Sequence, residues 1–415
     1  MYKSFDLLKK IYFVRTGGSV EENKAADILL EECKSLGVDA VKESFNVDGY
    51  DVKKVSLTFL DPEFEVECAG VGMTSSTPEE GLTGEFVYVD SLESAKFLDL
   101  ENKVCLIHSK LVNNKIYKEL IDKKALALIL CTGSVYDDKE FVDLDPYMNR
   151  ERNYKLGKIP AVCIRMKDAE MIIRKNPKLA KVVMVEEELQ KESHNVVATI
   201  EGTEFPNEII AFTAHYDSVS YSKGAYDNGT GSTCIMQMLA YFKENKPKRT
   251  LKFIWCGSEE MGLLGSIAYV DAHKEDLDKY KLCINVDMIG VTIGFDIARV
   301  SANNSLVNFI NYLSCEVGFP IKASQGVYSS DSTPFADNGV PALSFARIAP
   351  AGGAVIHSRK DVIDYLEPNN YYKTCDFISL FADRLINSKA FPVEKEIPEN
   401  VKLDIEYYFQ RKERK

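Results

Sequence analysis

Two short motifs hold the residues best suited to chemistry: His215-x-Asp217 and, ten residues on, Asp227-Asn228-Gly229. One neutral imidazole and one carboxylate suit a divalent cation, and a further carboxylate suits the task of holding the imidazole in place. An apolar run, residues 209–213, precedes them, and Ile235, Met238, Leu239 and Phe242 follow at helical spacing. The histidine and both aspartates therefore fall where a strand ends and a helix is about to begin. In open α/β sheets that junction is where ligands bind.

Two more units have the same form. Residues 251–256 are apolar and end in Gly257-Ser258-Glu259-Glu260; residues 282–286 end in Asp287. Helical patterns at 232–243 and 265–279 separate the strands, which predicts a mostly parallel sheet. Parallel strands end on one side, so these groups should converge on one crevice. Singly, each has an ordinary explanation: a helix cap, a solvated acid pair, a core histidine. Jointly, several acids gathered in one buried place repel unless something positive sits among them.

The positioning elements can be read outward from there. Ser19-Val20-Glu21-Glu22 has the form of a capping box. The helix it starts should bury Ala25, Ala26, Leu29, Leu30, Cys33 and Leu36 and stop near Gly37, before a strand over 38–47. From about 50 to 192 the texture changes to short strand-like runs (55–59, 86–89, 104–107, 125–131, 160–164) with helices near 115–124 and 167–175. That stretch holds one histidine, His108, and no cluster able to hold a metal. The expected organisation is a catalytic domain of residues 1–50 and 193–415 with a β-rich module, 51–192, inserted to shape or cover the site. A helix over 305–317, a strand over 342–346 and a long closing helix over 369–387 complete the catalytic domain.

The 415 residues are 45% hydrophobic and 27% charged, ordinary for a globular chain. A net charge of −12 argues against a nucleic-acid partner, which needs a positive surface. The basic end, 410–415, reads as a solvated tail. No run approaches the roughly 18 apolar residues of a membrane span. The first residues lack an uninterrupted apolar core, so they do not read as a signal peptide. The 10 cysteines are scattered without a C-x-x-C pair, consistent with buried reduced thiols in a cytoplasmic protein, with a secreted form left open.

In order along the chain stand His215-x-Asp217, Asp227-Asn228-Gly229-x-Gly231, Glu259-Glu260-x-Gly262-x-x-Gly265-Ser266, Asp287-Met288-x-Gly290, and His357 with Asp361. This resembles the co-catalytic di-zinc aminopeptidases, the family of aminopeptidase Y, bacterial leucyl aminopeptidases and glutamate carboxypeptidase. The resemblance covers roughly 19–47 and 195 to the closing helix, and the intervening module is similar in texture to a protease-associated domain. It implies an α/β fold, a mostly parallel mixed sheet flanked by helices.

It also implies two Zn2+, with Co2+ or Mn2+ as substitutes. His215 and Asp287 would hold one ion, Glu260 and His357 the other, and Asp227 would bridge them. A water shared by the ions would be the nucleophile and Glu259 the general base. Asp217 would take the second imidazole hydrogen of His215. Family members often have a cis peptide after the bridging aspartate, here Asp227-Asn228. In residues 328–335 the aspartate, Asp331, is usually followed by histidine or a larger residue; Ser332 stands there instead. Asp331 would orient His357, and Tyr328 would steady the oxyanion.

The expected activity is release of N-terminal residues from peptides. Alternatives are a carboxypeptidase or dipeptidase of the same family, for which Arg347 or Arg359 would bind the substrate carboxylate, then a glutaminyl cyclase or a non-catalytic relative. No G-x-S-x-G elbow and no H-E-x-x-H pair occurs, which removes serine-hydrolase and single-zinc readings. Oligomeric state is not readable.

Overall fold

A computed structural model describes residues 2–110, 112–137, 142–144 and 147–412. The chain divides into two compact units, one of Met1–Val47 with Glu192–Lys415, the other Asp48–Lys191. Both boundaries fall inside long strands, Ala40–Leu60 and Leu179–Ile200.

In the first unit the strands lie in the order Ile321–Gln325, Phe295–Ser301, Ala342–Ile348, Tyr280–Val286, Phe205–His215, Arg249–Cys256 and the end of Leu179–Ile200. The central four are mutually parallel, while Phe295–Ser301 and Leu179–Ile200 run against their neighbours. The sheet is mixed and mostly parallel. The four central strands read as near-continuous apolar runs because helices cover both faces. On one face Phe212, Phe253, Trp255, Ile284 and Phe345 pack with residues of the helices Val20–Ser35, Thr230–Glu244 and Pro368–Ile386. On the other, Ala211, Ile254, Cys256 and Cys283 meet Tyr269, Phe335, Val401 and Ile405. Phe212 stacks on Phe253 at 4.9 Å between ring centres, and the Trp255 indole donates to Ser232 O at 2.8 Å. Locking strand to helix in this way holds the loops at the strand ends in register.

Some boundaries depart from the sequence reading. The helix expected over 265–279 stops at Ala272 and a 3-10 turn, Lys274–Asp276, follows. Leu277 and Tyr280 are buried there, and the next strand begins at Tyr280, so the chain must turn back before then. The helices Ser4–Lys10 and Glu399–Tyr408 carried no clear expectation. Of the basic end, Arg411 is not merely solvated: it grips Asp337 through two bonds of 2.7 Å. Residues 413–415 lie outside the described residues.

In the second unit, Leu82–Tyr88, Lys103–Ile107, Ala127–Thr132 and Ala161–Arg165 form a parallel run, joined by Ala69–Gly72 in antiparallel register. Leu57, Phe59, Leu106, Ile129 and Val162 centre one core, and Tyr117, Leu120, Leu128 and Leu130 another. The helices Asn114–Asp122 and Met166–Lys175 make this module α/β as well as strand-rich. All ten cysteines are free, and all but Cys68 and Cys315 are buried. No described helix is long and apolar enough to cross a membrane.

Candidate metal centre

Strand register explains why the acids meet. His215 ends its strand level with Cys256, and Thr213 is level with Asn285, so the turns after three parallel strands leave one edge of the sheet together. Asp287 follows directly on Tyr280–Val286, and Glu259-Glu260 sit just past Arg249–Cys256. Asp227 lies in the turn Ala225–Gly229 ahead of the helix Thr230–Glu244, and its bond to Asn228 is cis. His357 comes from the loop after Ala342–Ile348, with φ +54°.

The distances form a chain of contacts. Asp227 Oδ1 is 3.1 Å from His215 Nε2, and Asp227 Oδ2 is 3.1 Å from His357 Nε2. His215 Nε2 is also 3.7 Å from Asp287 Oδ1 and 4.0 Å from Glu259 Oε2. His357 Nε2 lies 3.1 Å from Glu260 Oε2. Two donor sets result, His215–Asp227–Asp287 and Asp227–Glu260–His357, each with one ligand atom per residue inside a 4.8 Å span. His357 is the exposed member, its side chain 54% accessible.

Around these donors lies a frame of hydrogen bonds. Asp217 Oδ1 is 3.3 Å from His215 Nδ1 and accepts the Glu259 N–H at 3.0 Å, while its Oδ2 accepts the Glu260 N–H at 3.1 Å. Asp361 accepts the N–H groups of Tyr226 and Asp227 at 2.7 and 3.0 Å, fixing the turn that carries Asp227. Two residues that sequence reasoning passed over complete the frame. Asn228 donates to Val286 O at 2.9 Å and accepts from Gly231 N and Met288 N at 2.8 and 3.1 Å, tying the Asp227 turn to the Asp287 turn. Its place inside the Asp-Asn-Gly motif was the available signal. Arg15 is fully buried, and its guanidinium donates to main-chain carbonyls, among them Tyr216, Lys223 and Gly224 at the two ends of the loop between His215 and Asp227. A lone arginine before a helix carries no sequence signal of that kind.

Asp331 is buried, and burial pushes its carboxyl up to about 6 against the pull of His215. The short helix Ser332–Asp337, which begins just after Asp331, packs on Leu264–Ala272. Ser332 sits in a buried hydroxyl cluster, 3.1 Å from Ser330 Oγ and 2.8 Å from Ser344 Oγ. Tyr328 is half-buried, with Asp287, Asp227 and Glu259 close enough to raise its pKa after burial itself. Arg347 is spent: it donates to Val291 O at 2.8 Å and pairs with Asp296 at 2.6 Å.

The electrostatics suit cations. Burial pushes Glu259 well above the usual carboxylate range, and Glu260, Asp331 and Asp287 add to it against the pull of His215. Glu260 is pushed up to about 7, by burial first and then by Asp227. Burial opposes charge on His357, yet Asp227 and Glu260 carry it up to about 11. Asp287 Oδ1 is buried without a hydrogen-bond partner. A buried anionic oxygen of that kind, beside two imidazole nitrogens and further carboxylates, is a donor set that zinc accepts.

Residues 195–382 match the model of peptidase family M28. That span includes His215, Asp227, Glu260, Asp287 and His357. The aminopeptidase YwaD of Bacillus subtilis (strain 168) is 25% identical over 94% of this chain and 85% of its own length. Carboxypeptidase Q of Bos taurus is likewise 25% identical, over 88% of this chain and 81% of its own. The crystal structure of BSAP, a zinc aminopeptidase from Bacillus subtilis, superposes with a TM-score of 0.77 at 22% identity, covering 96% of this chain and 98% of that one. The shared fold therefore extends beyond the segment matched by the family model.

Proposed function

We propose that this M28 chain is a two-zinc exopeptidase that removes N-terminal residues from peptides. One observation carries the reading: the two oxygens of Asp227 face two different histidines at the same 3.1 Å. His215, Asp227 and Asp287 would hold one ion, and Asp227, Glu260 and His357 the other; cobalt or manganese could substitute. When bound, zinc lowers the pKa of a coordinated water from 15.7 to about 7 and so supplies a nucleophile at neutral pH.

The chain's own residues supply the rest. Glu259 belongs to both the turn and the crevice but to neither donor set, which frees its carboxylate to take a proton and pass it to the leaving amine. Asp217 holds the amides of Glu259 and Glu260, keeping the base and its neighbouring ligand on one rigid turn. Tyr328, whose hydroxyl burial and then Asp287 keep protonated, would donate it to the carbonyl oxygen as charge develops there.

The pairing of Arg347, one of the two arginines named for a substrate carboxylate, weighs against carboxypeptidase action. Recognition of a terminal carboxylate calls for a free guanidinium. Arg347 is taken by Asp296, and Arg15 by main-chain oxygens. The test is a substrate pair: aminoacyl-anilides with a free amine against N-blocked peptides with a free C-terminus. Turnover of the anilides is expected; cleavage confined to the blocked peptides would overturn the assignment.

A further inference from the structure

Outside the donor sets, the helix Val20–Ser35 carries a buried carboxylate aimed at the site's own scaffold. Glu22 is 1% exposed. Its Oε1 accepts the Ser258 N–H at 2.7 Å and the Ser258 hydroxyl at 3.2 Å, and its Oε2 accepts the Gly18 N–H at 2.7 Å. In a closed capping box the glutamate would return to the Ser19 N–H. Only half of the box forms: Ser19 Oγ accepts the Glu22 N–H at 3.0 Å, and the Glu22 side chain reaches a turn 236 residues away instead.

That turn is the one bearing the base and a metal donor. Three successive amides, those of Ser258, Glu259 and Glu260, donate to two buried carboxylates, Glu22 for the first and Asp217 for the next two. Ser258 has φ +52°, a conformation that an L residue keeps only when its surroundings hold it there. A Cβ added at Gly257 would come within 2.5 Å of His194 O and 3.0 Å of Glu22 Oε1, so the turn is pressed closely against this helix and strand.

We propose that Glu22 is a positioning residue for the metal centre: by holding Ser258 it sets where the Glu260 donor and the Glu259 carboxylate lie. This rests on the zinc-peptidase reading. An ionised carboxylate only accepts, and the three groups around Glu22 all donate. Glutamine has the same shape but would turn an NH2 group toward one of those donors, leaving a buried N–H or hydroxyl unpaired.

The test compares the purified full chain with Glu22→Gln and Ser19→Ala, reading zinc affinity by chelator competition, melting temperature and anilide turnover. Partners of this kind typically matter by about 10–100-fold in metal affinity or activity. Glu22→Gln is expected to weaken zinc binding by about that factor. Ser19→Ala loosens the same helix end without touching the Ser258 turn, and should lower the melting temperature with zinc affinity unchanged. Wild-type zinc affinity in Glu22→Gln, or equal weakening in Ser19→Ala, would show that Glu22 merely docks its helix and would sink the proposal. A wild-type chain that binds zinc but cleaves no anilide would defeat the peptidase reading, while the zinc comparison would still decide the role of Glu22.

Discussion

Asp217 accepts the main-chain N–H of Glu259 at 3.0 Å, so the residue that faces the His215 ring also holds the backbone of the base. One buried carboxylate thereby faces three positions: the His215 ring 3.3 Å away, the Glu259 amide and, through its second oxygen, the Glu260 amide. Asp217→Asn cannot serve all three, because its amide would present N–H to an N–H or to the ring nitrogen. Zinc affinity is expected to fall by about 10–100-fold. Chelator competition on the folded variant measures this, and unchanged affinity would show that the frame is not needed.

Glu259→Gln separates proton transfer from metal binding. The residue stands outside both donor sets, so zinc content by mass spectrometry should match the wild type. General-base loss costs roughly 10²–10⁴-fold, and kcat is expected to drop by that range. Near-normal turnover would remove Glu259 from the role.

Asp227→Ala strikes the residue common to both donor sets. It should lose zinc from both, not one, because two cations without a shared anion repel. Elemental analysis after dialysis is the measurement. Full retention would contradict the bridge.

The metal-free chain should become less stable as pH rises. Burial pushes Glu260 up to about 7 and both Asp331 and Asp361 up to about 6. The folded state thus keeps protons that the unfolded chain gives up above its ordinary carboxylate pKa, and this contribution is lost between pH 4.5 and about 7. His357, raised to about 11, has the same sign: its proton stabilises fully below 6.5 and is released only toward 11. The apparent melting temperature of chelator-treated protein should be lower at pH 8 than at pH 6 by about 2 °C or more. Zinc, which takes over the task of neutralising the acids, should shrink the difference. A rise in stability over that interval would refute the sign.

What the sequence determined by itself is the arrangement that follows from periodicity and chain order. Apolar runs ending in His215, Glu259 and Asp287, separated by helical patterns, require parallel strands, and parallel strands must deliver their ends to one edge. The tertiary structure alone decided which side chains stand behind that edge. Arg347 is consumed by Asp296, half of the Ser19 capping box is open, and Glu22 and Arg15 reach across some 200 residues to the turns of the site. Local pattern specifies backbone conformation within one element. Pairing between buried polar groups depends on how elements pack, since each buried donor or acceptor takes whichever partner the folded neighbours bring within 3 Å or so.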